Sequence, residues 1–298
     1  MARVRPRGGP AAATMTPAGG AAMTAPPVRL AVLGEPLGHT RSPELHRAGL
    51  AALGVRGESS ALPTPAPQLA SRLSDLAARG FLGANLTHPL KAAVLPLLSR
   101  VSEAARAARS VNTVGFAPDG WWGETTDGPG LIDLLESLGR EPARERAVIL
   151  GGGGAARSLA LALSSSGASP GAGSLTVSAR RPDGIAAEWS DIPDARRVAW
   201  RSPAETTALG EATLVINATP LGAEVHPAPL EVIAKGALIL DLVYGERVGA
   251  WVLRARAEGR EAYDGLGLLV FQARRSLALW LGRPVPVEPL ARAVGWPR

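Results

Sequence analysis

The sequence predicts an α/β protein with largely parallel strands, and three observations carry that expectation. Strand-like and helix-like stretches alternate from Val28 onward. A short apolar strand over residues 147–150 runs into Gly151-Gly152-Gly153-Gly154 and then into an apolar helix. Hydrophobic residues make up 46% of the 298, enough for a sizeable core in one large or two medium domains.

Taken in order, residues 28–33 read as a buried strand closed by Gly34-Glu35-Pro36. Residues 43–53 read as a helix ended by Gly54, and residues 67–79 as an amphipathic helix capped by Gly80. A strand over 81–86 delivers Thr87 and Lys91 to a loop and the next helix, and residues 101–108 form another helix. Residues 111–116 and 121–124 pair around Pro118-Asp119-Gly120. A helix over 130–138 and a polar linker over 140–145 lead to the strand at 147–150. Further strands are expected at 175–179, 213–217 and 237–242, with helices at 248–258 and 266–280, the last ended by Gly282.

Composition excludes several functions. Cys is absent, so there are no disulfides, thiolate metal sites or Cys nucleophiles. The histidines His39, His46, His88 and His226 show no metal-ligand spacing; no metal is expected, and each reads as a loop or surface residue. The formal charge of +6 comes without Lys/Arg runs interleaved with aromatics, so no nucleic-acid partner is expected. There is no apolar run of about 18–20 residues and no signal-peptide core, so no membrane partner is expected. A cytoplasmic protein, monomeric or homodimeric, is the expectation. Residues 1–27, rich in Ala, Gly, Pro, Thr and Met, read as a disordered extension.

Rare polar residues mark the chemistry. The chain has thirty arginines but only two lysines, Lys91 and Lys235, and only three asparagines, Asn85, Asn112 and Asn217. Arg stays protonated where Lys can exchange a proton, so a surviving Lys suggests acid–base work. Lys91 ends Asn85-Leu86-Thr87-His88-Pro89-Leu90-Lys91; Lys235 sits in no such segment. In the glycine turn, Gly151 allows the tight bend, Gly153 lets backbone approach a pyrophosphate, and Ala156 permits close helix packing. Gly154 and Ala155 open the helix, whose N-terminus favours an anion. The next strand ends Ala179-Arg180-Arg181, and two guanidinium forks suit a 2′-phosphate, which favours NADP(H). Asp183 keeps an NAD ribose contact open.

Eight ordered motifs over residues 29–285 closely resemble the shikimate dehydrogenase family. They run from Gly34-Glu35-Pro36-Leu37-Gly38-His39-Thr40-Arg41-Ser42-Pro43 and the Lys91 segment through Val111-Asn112-Thr113 and Thr126-Asp127-Gly128-Pro129-Gly130 to the glycine loop. Asn217-Ala218-Thr219-Pro220-Leu221-Gly222, Asp241-Leu242-Val243-Tyr244 and the segment from Asp264 to Gln272 complete them. The resemblance implies NADPH-dependent reduction of 3-dehydroshikimate to shikimate, with Lys91 and Asp127 facing the reacting oxygen. It implies that Thr40 and Ser42 hold the substrate carboxylate and that Thr87, Asn112 and Gln272 read its hydroxyls, with Tyr244 near the ring. Asn217, Thr219, Gly265 and Gly267 would lie by the cofactor. Simpler roles compete: Ser42 as a helix cap and Asp127 as a turn residue before Gly128. The chain departs from the family pattern at Thr40, where Ser is usual, and at Thr125, Ala179, Arg181, Gly245, Glu246 and Leu268. Rival readings are a relative acting on quinate or an aminated shikimate, and a non-catalytic NADP-binding regulator. The implied architecture is an N-terminal α/β substrate domain over 28–126, with 265–298 packing back onto it. A doubly wound Rossmann-type NADP domain over 127–264 follows, and the active site lies in the cleft between the two.

Overall fold

The computed structural model describes residues 26–166, 173–192 and 194–297. The extension expected over 1–27 lies outside these residues except for Pro26 and Pro27. Two six-stranded sheets form the framework.

The first half contains β1 (Val28–Gly34), α1 (Ser42–Ala52), β2 (Gly57–Pro63), α2 (Leu69–Ala78), β3 (Gly83–Leu86) and α3 (Leu90–Ala93). It continues with β4 (Arg100–Val101), α4 (Glu103–Ala108), β5 (Thr113–Ala117) and β6 (Gly120–Glu124). The sheet order is β2-β1-β3-β5-β6-β4. β1 pairs in parallel with β2 and β3, while β5 pairs antiparallel with both β3 and β6, so the hairpin makes the sheet mixed. The helix expected over 101–108 starts two residues later. Val101 instead extends the sheet edge beside Gly123, and Ser102 caps the helix by accepting a 3.1 Å bond from the Ala105 amide.

The second half begins with α5 (Asp127–Ser137), β7 (Arg146–Leu150), α6 (Gly154–Ser165), β8 (Ser174–Ala179), α7 (Pro182–Glu188) and β9 (Ala195–Ala199). Then come α8 (Pro203–Glu211), β10 (Leu214–Asn217), β11 (Leu238–Asp241), α9 (Ala250–Ala257), β12 (Ala262–Tyr263), α10 (Leu266–Leu281) and α11 (Val287–Val294). The sheet order β9-β8-β7-β10-β11-β12 is parallel throughout, the doubly wound 3-2-1-4-5-6 arrangement, with its switch point between β7 and β10.

The first helix of this half starts at Asp127, three residues before the expected Gly130. Gly128 and Gly130 explain its placement. A Cβ on Gly128 would stand 2.6 Å from the Ser158 carbonyl oxygen of α6, and one on Gly130 would stand 2.9 Å from the Gln272 amide nitrogen of α10. α5 therefore lies wedged between α6 and α10, with Leu131, Leu134 and Leu135 buried. The same apolar cluster takes in Leu45 and Leu50 of α1 and Leu277 and Leu290 of the last two helices, so α10 and α11 return to the first sheet.

Candidate active site

The cleft brings the carboxyl end of β3 opposite the start of α5. α3 raises Lys91, whose carbonyl accepts a 2.8 Å bond from the Val111 amide. Asp127 occupies the first turn of α5, where the helix dipole favours a carboxylate. Lys91 Nζ donates to Asp127 Oδ2 at 2.6 Å; the Asp127 side chain is 9% exposed and that of Lys91 24%. An ammonium–carboxylate pair thus spans the two halves with the lysine still open to the cleft.

A cavity of about 500 Å³ surrounds the pair. Thr40, Ser42, Thr87 and Asn112 line it from the first half; Ala155, Leu242, Tyr244, Gly265, Leu268 and Gln272 line it from the second. Tyr244 faces Thr40 across the cleft, and burial pushes its phenol above the ordinary value of 10. Ser42 lies buried at the start of α1, but its hydroxyl does not cap that helix. The structure therefore leaves Ser42 to the cavity and not to the capping role.

The amides beside Asp127 are internally engaged. The Thr126 amide donates to Asn112 Oδ1 at 2.7 Å, which orients the Asn112 side chain. Its Nδ2 donates to Asp127 Oδ1 at 2.8 Å and lies 3.1 Å from Gln272 Oε1. Gln272 Nε2 in turn donates to the Leu269 carbonyl at 2.8 Å. Asn85, although it reaches the cavity wall, donates to the Asn112 carbonyl, Thr113 and Ser276.

His46 corrects a sequence expectation. It is not a surface residue: it is fully buried on α1, with Nδ1 2.8 Å from Ser59 Oγ and Nε2 2.8 Å from Asn85 Oδ1. Burial holds its imidazole down at about 4, so the ring is neutral at ordinary pH. Its partners come from β2 and β3, 13 and 39 residues away, and no local spacing announces them.

A second cavity, about 890 Å³, opens over the carboxyl ends of β7, β8 and β10. Gly151 turns there with φ +116, and a Cβ on it would stand 2.9 Å from the Ala218 carbonyl oxygen. Only glycine suits both the angle and the approach. Gly151 and Gly153 line this cavity, Ala155 lines the first, and Ala156 is fully buried, so the loop joins the two spaces. Gly154 begins α6 and lies against Ser110. Ala179, Arg180, Arg181 and Thr219 line the far wall, with both guanidiniums exposed. Backbone N–H groups at a helix start, with two exposed cations about one strand away, fit a phosphate-bearing dinucleotide.

Asn217 and Gly267 do not reach either cavity. Asn217 donates to Asp241 at 2.8 Å and accepts from the Thr219 amide at 3.0 Å, so it holds the switch-point loop from within. Burial, with Asp264 nearby, raises the Asp241 carboxyl. Gly267 packs against Trp296 and Leu134 on the opposite side of α10. Sequence reasoning missed Trp200, which follows β9, lines the dinucleotide cavity and stacks on Arg201 at 4.9 Å. A single aromatic after an unrecognised strand gave no signal. Among the described residues no cluster of three or more His, Asp or Glu could hold a metal ion.

A doubly wound sheet with a glycine loop at its switch point, facing a Lys–Asp pair across one cleft, defines a dinucleotide-dependent oxidoreductase with a separate substrate half. A family model described as the shikimate dehydrogenase substrate binding domain matches residues 32–114. A shikimate dehydrogenase (NADP(+)) of Acidiphilium cryptum is 39% identical over 268 residues, covering 88% of this chain and 94% of that protein. The corresponding protein of Microcystis aeruginosa is 36% identical over 276 residues, covering 89% and 95%. The crystal structure of shikimate 5-dehydrogenase from Thermus thermophilus, in complex with NADP(H) and shikimate, superimposes with a TM-score of 0.79. It is 34% identical and covers 90% of this chain and 98% of its own. The chain belongs to the shikimate dehydrogenase family.

Proposed function

We propose that the chain catalyses the reversible, NADPH-dependent reduction of 3-dehydroshikimate to shikimate. The observation that carries this reading is the 2.6 Å Lys91–Asp127 pair beside a cavity continuous with the glycine loop. Gly151, Gly153 and the α6 N-terminus would hold the pyrophosphate and Arg180 and Arg181 the 2′-phosphate. NADPH bound there would supply the hydride.

The chain's own residues handle charge and protons. Reduction of the ketone leaves negative charge on its oxygen. The Lys91 ammonium stabilises that charge and donates one of its protons to it. Asp127, held from its other oxygen by Asn112, keeps the ammonium aimed and shares in its reprotonation. Thr40 and Ser42 offer hydroxyls for the substrate carboxylate, Thr87, Asn112 and Gln272 face its ring hydroxyls, and Tyr244 lies by the ring. In the reverse direction neutral Lys91 accepts the alcohol proton.

In the same reading, residues 28–126 together with 265–298 form the substrate half and residues 127–264 the cofactor half. The protein acts in the cytoplasm, as a monomer or homodimer, on a small-molecule substrate. No helix among the described residues is long and apolar enough to cross a membrane. The test is NADPH oxidation, followed by absorbance, with 3-dehydroshikimate. Absence of turnover, with cofactor binding intact, would turn the reading towards a non-catalytic regulator. Faster turnover with quinate would move it to a related substrate.

A further inference from the structure

Asp127 is one end of a buried hydrogen-bond network whose other end lies at His46, and the directions from Ser59 to the Asn112 carbonyl are fixed by its acceptors. The Asn112 carbonyl can only accept, so the Asn85 amide nitrogen must face it, at 2.9 Å. Asn85 Oδ1 therefore faces His46, and that oxygen can only accept, so His46 carries its proton on Nε2. Nδ1 is then an acceptor, and the Ser59 hydroxyl donates to it at 2.8 Å. The second Asn85 proton faces Thr113 Oγ1 and Ser276 Oγ, each at 3.0 Å, and the Thr113 hydroxyl lies 3.1 Å from Asn112 Oδ1 and 2.7 Å from Ser276 Oγ. Asn112 Nδ2 donates to Asp127 Oδ1, whose other oxygen receives Lys91. From Ser59 through His46 and Asn85 the donors point towards the Asn112 backbone carbonyl, and Asn112 Nδ2 points onward to Asp127. Asn85 thus grips the backbone of the residue whose side chain orients Asp127, and networks of this kind hold their members more firmly than the separate bonds would.

The surroundings lock the starting point. The Trp280 ring of α10 meets the imidazole edge-on at 5.4 Å. Ser276, one turn earlier on α10, sits 2.7 Å from Thr113 Oγ1 and donates to the Gln272 carbonyl. A neutral imidazole with no access to solvent is otherwise a costly choice for a helix core, since a leucine would fill the space without polar demands.

We infer that His46, acting through Asn85, Thr113 and Asn112, is a positioning residue that sets the orientation of Asp127 and so of the Lys91 ammonium. The inference rests on Lys91 and Asp127 being the catalytic pair. It assigns a role in catalysis to a side chain that touches neither substrate nor cofactor.

The test is steady-state kinetics on the full chain with NADPH and 3-dehydroshikimate, with folding checked by circular dichroism. His46→Leu removes the donor, and kcat is expected to fall about tenfold while the KM for NADPH stays within about twofold. His46→Gln replaces the Nε2 donor with an amide N–H and is expected to recover kcat to within about threefold of the parent. Thr113→Val cuts the same chain farther along and Thr113→Ser restores it, so this pair decides the matter if His46→Leu does not fold. The double variant His46→Leu/Thr113→Val is expected to lose little more than either single, because both break one chain. Three results overturn the inference: a folded His46→Leu with parental kcat, a folded His46→Gln no better than His46→Leu, or losses that multiply in the double variant. Lys91→Ala separates the two claims. If it retains turnover, the catalytic reading itself fails; if it is inactive while His46→Leu is parental, only the positioning role fails.

Discussion

The two cavities of this chain are built by opposite means. Around Lys91 and Asp127 the polar side chains are bonded to one another before any substrate arrives; Asn112 alone engages Thr126, Asp127 and Gln272. Around the glycine loop the binding groups are backbone amides at a helix start and the exposed guanidiniums of Arg180 and Arg181. The first region holds groups fixed so that charge developing at one atom is met without reorganisation. The second attracts a polyanion through charge and leaves side chains to adjust on arrival. Chemistry requires the first arrangement; recognition of a soluble cofactor is served by the second.

That contrast predicts different responses to damage. Replacing Lys91 by Ala should cost about a thousandfold in kcat while leaving NADPH affinity, read by fluorescence titration, within about twofold. Equal loss of both would erase the division. The next effect concerns stability. The folded state holds His46 at about 4, below its unfolded value near 6.5, so the unfolded chain binds the proton more readily. His46 therefore favours folding least at low pH: stability falls as pH drops from about 6.5 towards 4, by roughly 3 kcal/mol from this residue. Urea unfolding of the parent and of His46→Gln at pH 7 and 4.5 checks this; parallel pH dependences would contradict it.

Smaller effects belong to the cofactor cavity. Arg180→Ala should raise the KM for NADPH about tenfold, with kcat nearly unchanged, and narrow the preference over NADH. An unchanged cofactor preference would remove the 2′-phosphate role from Arg180. Smallest is the salt response: raising ionic strength from about 0.05 to 0.5 M should raise the KM for NADPH severalfold. The KM for 3-dehydroshikimate, met mainly by hydroxyls and amides, should move less. Equal sensitivity would show that charge steers both ligands alike.

The same contrast governs what could be read from the sequence. Every strand anticipated from apolar runs lies inside a sheet, and the four not anticipated, β2, β4, β9 and β12, are the four sheet edges. An edge strand is half solvated and tolerates Gly57-Glu58-Ser59-Ser60 or Arg196-Arg197, so it carries no continuous hydrophobic signal. The glycine loop was legible because its function lies in backbone conformation encoded by adjacent residues. Lys91 was legible through its rarity. The buried chain from Ser59 to Asp127 was not, because Asn85 and Ser276 meet across 191 residues. His46 read as a loop or surface residue until β2 and β3 supplied its partners.

The return of the last two helices has a consequence for how the chain comes into being. α1 is made early, yet its Gly49 lies directly beneath Leu277 and Leu290, and the Val114 carbonyl on β5 waits for the indole of Trp280. During synthesis the first sheet emerges with one hydrophobic layer and part of its polar core still unmade. The second sheet, whose strands and most of whose helices follow one another locally, can close first. The core of the half that is translated first is thus completed only by the last two helices, and Gln272 and Ser276 join the Lys91–Asp127 cleft only when α10 docks.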